Sequence, residues 1–184
     1  EIHGKTIGIL GVGAIGEETA KIAKAFGMNV LGLRHSGKEN EYVDTMYKTD
    51  QLQEMLPACD YVVVTLPLTR ETHHLFDKGA FQAMKDTAFF INIGRGEIVK
   101  ESDLIDALTS GQIAGAGLDV FEKEPLDDDN PLWEMDEVIV TPHTAGATEH
   151  YQERVIQDIF IPNLKKYIEG EKPTINVVDY AKGY

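Results

Sequence analysis

The chain has a single cysteine, Cys59, so no intrachain disulfide can form and disulfide chemistry does not constrain its compartment. Cys59 stands just before the run Tyr61-Val62-Val63-Val64 and reads as core filler rather than as a reactive thiol. Basic residues are scarce: 17 Lys and Arg against 31 Asp and Glu leave a net charge of −14. A chain this poor in cations cannot neutralise a phosphate backbone, which argues against a nucleic-acid surface. No apolar run approaches the roughly 18 residues of a membrane span. The opening Glu1-Ile2-His3-Gly4-Lys5 has neither an apolar region nor a cleavage site, so no signal peptide and a cytoplasmic location are expected. His3, His73, His74 and His150 lack metal-ligand spacing to Asp, Glu or Cys, and no metal is expected. The single tryptophan, Trp133, reads as a packing residue.

The acidity is unevenly placed. Positions 119–137 hold nine acids against one base, Lys123, which reads as a solvated acidic loop apart from Asp119 and Glu124.

Six short, β-branched, nearly uninterrupted apolar runs occur at 6–10, 30–33, 61–66, 88–93, 113–118 and 138–140, the pattern of strands buried on both faces. Helical segments are expected at 15–26, 51–56, 78–84 and 102–108, with Asp50, Asp77 and Glu101-Ser102 as caps. Alternating strands and helices imply right-handed crossovers and a parallel sheet covered on both sides, an α/β Rossmann-type doubly wound fold. A longer helix over 147–169 carries apolar residues at threes and fours and should bury a broad stripe. Pro162 inside it predicts a kink near Ile161. The reading divides the chain into a dinucleotide-binding domain, 1–170, and a tail, 171–184, that needs something to dock on.

Gly11-Val12-Gly13-Ala14-Ile15-Gly16 follows the first strand and opens the first helix. In that setting Gly11 turns tightly, Gly13 admits the backbone to a pyrophosphate, and Gly16 lets helix and strand pack closely. The helix end and its free amides then hold phosphate. An acid closing the second strand would bind the adenosine ribose; here Arg34 stands there, followed by His35, Ser36 and Lys38. The cluster is either an ordinary solvated loop or a 2′-phosphate site, and NADP(H) is expected over NAD(H).

Three residues after strand ends suit hydride chemistry on a 2-hydroxy or 2-oxo acid. Arg95 could bind the carboxylate, His143 could carry the proton, and Glu124 could orient His143. Singly, each also reads as an ordinary surface or turn residue; together, at the sheet edge where ligands bind open parallel sheets, they suggest a site.

These segments resemble the cofactor-binding domain of the D-isomer-specific 2-hydroxyacid dehydrogenases. The likeness runs through the glycine turn, Leu66-Pro67-Leu68-Thr69, NIGRGEIV at 92–99, GLDVFEKEPL at 117–126 and TPHTAG at 141–146. It implies that Arg95 binds substrate, His143 is the acid/base and Glu124 its partner. It also implies that Ala14 and Ile15 meet the pyrophosphate, that Leu66 and Pro67 meet the adenosine side, and that Ile93 and Asp119 meet the nicotinamide. His143 and Ala145 lie in the last motif and join the cofactor-contact set. Glu124 weighs against the formate dehydrogenase branch, which usually has glutamine there. Arg34 resembles the NADPH-using glyoxylate and hydroxypyruvate reductases. The alternatives are NAD-linked D-lactate or phosphoglycerate oxidation, which Arg34 opposes, and a dinucleotide-sensing corepressor. The resemblance further implies a homodimer, and a substrate domain that this chain does not supply.

Overall fold

Seven strands lie side by side in the order β3-β2-β1-β4-β5-β6-β7, and every neighbouring pair is parallel. The computed structural model describes residues 1–180. Its strands are β1 Thr6–Leu10, β2 Asn29–Leu33, β3 Thr45–Tyr47, β4 Tyr61–Val64, β5 Phe89–Asn92, β6 Gly115–Leu118 and β7 Val138–Val140. Between them run α1 Ala14–Ala25, α2 Leu52–Met55, α3 Lys78–Ala83 and α4 Glu101–Thr109. This is the expected α/β Rossmann-type architecture, with one strand more than the apolar runs indicate. β3 has no fully buried residue, so its sequence carries no continuous apolar signal.

Alternation along the central strands feeds two cores. Ile7, Ile9, Val30 and Val63 pack with Ala20 and Ala23 of α1 on one face. Leu10, Val62 and Val64 pack with Leu52, Met55, Phe81 and Leu104 on the other. Gly8 makes room on this second face, since a Cβ there would lie 2.6 Å from Cys59 Sγ. Cys59 is buried and its thiol is pushed up to about 12 by desolvation, an inert packing group as expected. Phe76, Phe81 and Phe90 meet with ring centroids 4.7 to 5.4 Å apart.

Asp77 caps α3 by accepting from Ala80 N at 3.0 Å. The other two caps are corrected. The turn before α2 is closed by Lys48 N donating to Gln51 Oε1, not by Asp50. No side chain caps α4, because Glu101 is drawn instead to Glu122 and Asn130. Trp133 is 50% exposed rather than packed inside, and its indole N–H donates to Asp127 O.

The described residues form two compact units, Glu1–His143 and the segment from Thr144 on. In the second unit the long helix begins at Tyr151, not 147. It runs as α5 Tyr151–Arg154, a π-helical stretch Val155–Phe160, and α6 Ile161–Ile168. The irregularity expected from Pro162 therefore takes the form of a wider turn just before it. The apolar stripe expected to be buried is not: Phe160 is 57% and Ile168 74% exposed. The chain after Gly170 folds back onto α6, where Asn163 Oδ1 accepts from Thr174 N and Ile175 N and its amide donates to Ile175 O. The end of the tail, 181–184, lies outside the described residues. Among the described residues no helix is long and apolar enough to cross a membrane, and no His, Cys, Asp and Glu cluster could hold a metal.

Candidate active site

Strand order reverses between β1 and β4, and the glycine turn sits at the carboxyl end of that junction, the place where open parallel sheets bind ligands. Gly11 is held at φ +101°, and a Cβ on it would lie 2.8 Å from Leu66 N. A Cβ on Gly16 would run into the Gly11 carbonyl. Gly13 differs: nothing lies within 4 Å of where its Cβ would be. Gly13 is also the N-cap of α1, and no side chain caps the helix amides. Ala14 and Ile15 are exposed in the first turn. The turn therefore offers an uncapped helix N-terminus beside open space, which fits a pyrophosphate.

Around it stand the other residues assigned to the dinucleotide. Leu66 is buried beside Gly11, and the Pro67 carbonyl accepts from Thr72 Oγ1 at 2.8 Å. Ile93 N donates to Val64 O. Arg34 follows β2, with its backbone N–H on Tyr47 O, and Ser36 Oγ accepts from Lys38 N at 3.3 Å. His35 lies 3.7 Å from Glu71, so one carboxylate faces the basic cluster. Ala145 belongs to the second unit.

The three reactive candidates leave the ends of neighbouring strands. Arg95 follows β5, where Asn92 holds its turn: Asn92 Oδ1 accepts from Gly94 N and its amide donates to Arg95 O, each at 3.0 Å. Arg95 also donates to Gly94 O at 2.7 Å. Gly96 lies so close to the loop after β6 that a Cβ would collide with the Phe121 carbonyl. That loop carries Glu124, whose Oε1 accepts from Phe121 N at 3.1 Å and whose Oε2 lies 2.8 Å from His143 Nδ1. His143, after β7, has φ +54°, an uncommon conformation for a side-chain-bearing residue. Thr141 anchors its loop, donating through Oγ1 to buried Asp119 at 2.6 Å. Burial pushes the Glu124 carboxyl up, but hydrogen bonds from His143 and Phe121 N outweigh this and hold it below its ordinary range.

Asn92, Thr141 and Gly96 are contributors that the sequence reading did not single out. Asn92 and Gly96 flank Arg95 inside one motif, and that adjacency was the available signal.

Residues 1–145 match the family described as D-isomer specific 2-hydroxyacid dehydrogenase, NAD binding domain. The chain belongs to this family. It is 43% identical over 182 residues to a glyoxylate/hydroxypyruvate reductase B of an Enterobacter species, covering 96% of this chain and 55% of that protein. Among solved structures, a D-isomer specific 2-hydroxyacid dehydrogenase from Xanthobacter autotrophicus in complex with NADPH and MES superposes with a TM-score of 0.90 at 39% identity. That match covers 98% of this chain and 73% of the other. An NADPH-dependent glyoxylate/hydroxypyruvate reductase from Sinorhizobium meliloti, in complex with NADP and sulfate, gives 0.88 at 34% identity, covering 98% and 57%. The chain spans about half the length of the curated relatives it matches. The matched segment is the NAD-binding domain of this family.

Proposed function

We propose that this chain is the cofactor-binding and catalytic-residue domain of a reductase that converts a small 2-oxo acid, of the glyoxylate or hydroxypyruvate kind, to its 2-hydroxy acid. The observation that carries this reading is the 2.8 Å pairing of His143 Nδ1 with Glu124 Oε2, one strand away from the Arg95 turn. With Nδ1 donating to the carboxylate, Nε2 is the ring atom left to carry a proton. Arg95 presents a planar fork suited to a substrate carboxylate. In the reductive direction His143 delivers a proton to the carbonyl oxygen, while Glu124 fixes the orientation of the ring. A bound reduced nicotinamide supplies the hydride. Gly11, Gly13, Ala14, Ile15 and Gly16 would hold the pyrophosphate, Leu66 and Pro67 the adenosine side, and Ile93, Asp119, His143 and Ala145 the nicotinamide end.

The preferred cofactor in this reading is NADP(H). Arg34, His35 and Ser36 supply a cation and hydroxyl where an NAD-specific site has an acid. The NADPH and NADP bound by the two solved relatives point the same way. The proposal includes a cytoplasmic homodimer, with residues 1–170 as the dinucleotide domain and 171–184 leading toward a substrate domain outside these 184 residues.

The test is turnover. The intact protein is assayed with NADPH and NADH against a panel of 2-oxo acids, beside His143→Ala. NADPH-linked reduction of glyoxylate or hydroxypyruvate that collapses in the variant supports the reading. Dinucleotide-dependent change in mass without turnover would instead identify a sensing protein.

A further inference from the structure

His74, one of the histidines that reads as unremarkable in the sequence, lies with Nε2 2.6 Å from Glu122 Oε1, across 48 residues of chain. Glu122 Oε2 accepts from Glu101 N at 3.1 Å, and Glu101 Oε2 accepts from Glu122 N at 3.3 Å, a reciprocal clasp. Asn130 donates to the remaining Glu101 oxygen at 2.7 Å. The backbone of His74 faces the other way, its N–H donating to Glu97 O at 2.8 Å, and Phe76 N continues the contact to Ile98 O. Glu97 lies in the turn of Arg95, and Glu122 lies two residues before Glu124. One residue therefore touches both loops that carry reactive groups.

We propose that His74 and Glu122 are a positioning pair that fixes the Arg95 turn against the Glu124 loop and so sets the orientation of His143. The inference rests on the reductase reading above. Gly96 explains why such a pair is useful. The two loops approach until no Cβ fits between them, and a close approach without side-chain interlock needs holding from outside. The pair is two-thirds covered, with side-chain exposures of 32% and 35%, so the contact is shielded more than a surface ion pair. The ring of His73 lies beside that of His74, with centroids 3.9 Å apart and the planes tilted by 32°, and Glu122 and Glu101 are further titratable groups of the clasp. His74 itself has φ +52°, which turns its backbone to one loop and its ring to the other.

The experiment uses the intact protein. His74→Asn tolerates the backbone conformation but is too short to reach Glu122, and Glu122→Gln removes the charge. His74→Gln keeps a donor at the required reach. Two readouts are taken: kcat for 2-oxo acid reduction, and the titration of the Glu124 carboxyl by carbon NMR. His74→Asn and Glu122→Gln are expected to lower kcat about tenfold without changing dinucleotide Kd, as for modest misplacement of reacting groups. Both should also let Glu124 titrate closer to an ordinary carboxyl, and His74→Gln should restore both readouts. Unchanged kcat and unchanged Glu124 titration in a folded His74→Asn or Glu122→Gln protein would overturn the proposal. If the wild type reduces no 2-oxo acid, the reductase reading fails, and the Glu124 titration still decides whether the pair sets that loop.

Discussion

His143 Nδ1 and Glu124 Oε2 stand 2.8 Å apart at the ends of neighbouring loops, with side-chain exposures of 50% and 37%. A pair this open contributes little to stability, about 0 to 1 kcal/mol, so its geometry matters for chemistry rather than folding. His143→Ala should therefore lower the chemical step by roughly a hundredfold, while the melting temperature stays near wild type. Glu124→Gln keeps an acceptor but loses the charge, and should fall between the two. Single-turnover rates of the intact protein, compared with thermal melts, check both. A large loss of stability in His143→Ala would make the pair structural.

Two glycines of the turn, Gly13 and Gly16, separate folding from binding. A Cβ at Gly16 meets the Gly11 carbonyl, so Gly16→Ala must displace backbone and should cost about 1–3 kcal/mol of stability. A Cβ at Gly13 meets nothing in the protein. Gly13→Ala should therefore fold normally and yet lose dinucleotide affinity by about tenfold or more, since the methyl occupies the approach to the phosphates. Calorimetric binding and thermal melts on both variants give the comparison. Full affinity in Gly13→Ala would move the pyrophosphate elsewhere.

Arg34 is the test of cofactor choice. Its replacement by alanine removes the cation at the end of β2 and should weaken NADPH binding by about tenfold, or 1.4 kcal/mol, while leaving NADH nearly unchanged. Glu71 lies 3.7 Å from His35 and opposes a phosphate there, so Glu71→Gln should shift preference slightly further toward NADPH. Both effects should shrink as salt is raised. Tighter binding of NADH than NADPH by the wild type would refute the assignment.

The strands and the glycine turn were legible because buried parallel strands leave continuous apolar runs, and because a turn between strand and helix needs glycine for steric reasons. Arg95, Glu124 and His143 were singled out through motifs at strand ends, and the structure sets Glu124 against His143. β3 was not, since Thr45-Met46-Tyr47 is only half covered and carries no apolar run. Nor was the link between His74 and Glu122: local spacing says nothing about a contact across 48 residues. The periodicity of Tyr151, Phe160 and Leu164 predicted a helix with a buried stripe; the helix forms, but these residues are exposed. Periodicity fixes which face is apolar, and the fold decides whether that face is covered.

Acid sensitivity should centre on Asp60, which joins the start of β1 to the loop before β5. Its Oδ2 accepts from Thr6 N and its Oδ1 from Lys85 Nζ, both at 2.8 Å. Burial raises its carboxyl, but the bonds from Lys85 and Thr6 N outweigh this and leave it below the ordinary range. A carboxyl lowered on folding stabilises the native state fully above its unfolded value, about 3.9, and loses that contribution as pH falls through the folded one. Asp60→Asn should therefore be less stable than wild type at neutral pH by about 1–3 kcal/mol, because Lys85 loses its anion and the half-buried bond from Thr6 N is weakened. As pH falls below the ordinary aspartate range the wild-type carboxyl takes up its proton, and the two proteins should converge. Chemical denaturation of both along a descending pH series measures the gap. A gap that stays constant into acid would assign the effect to packing around Thr6 rather than to the charge on Asp60.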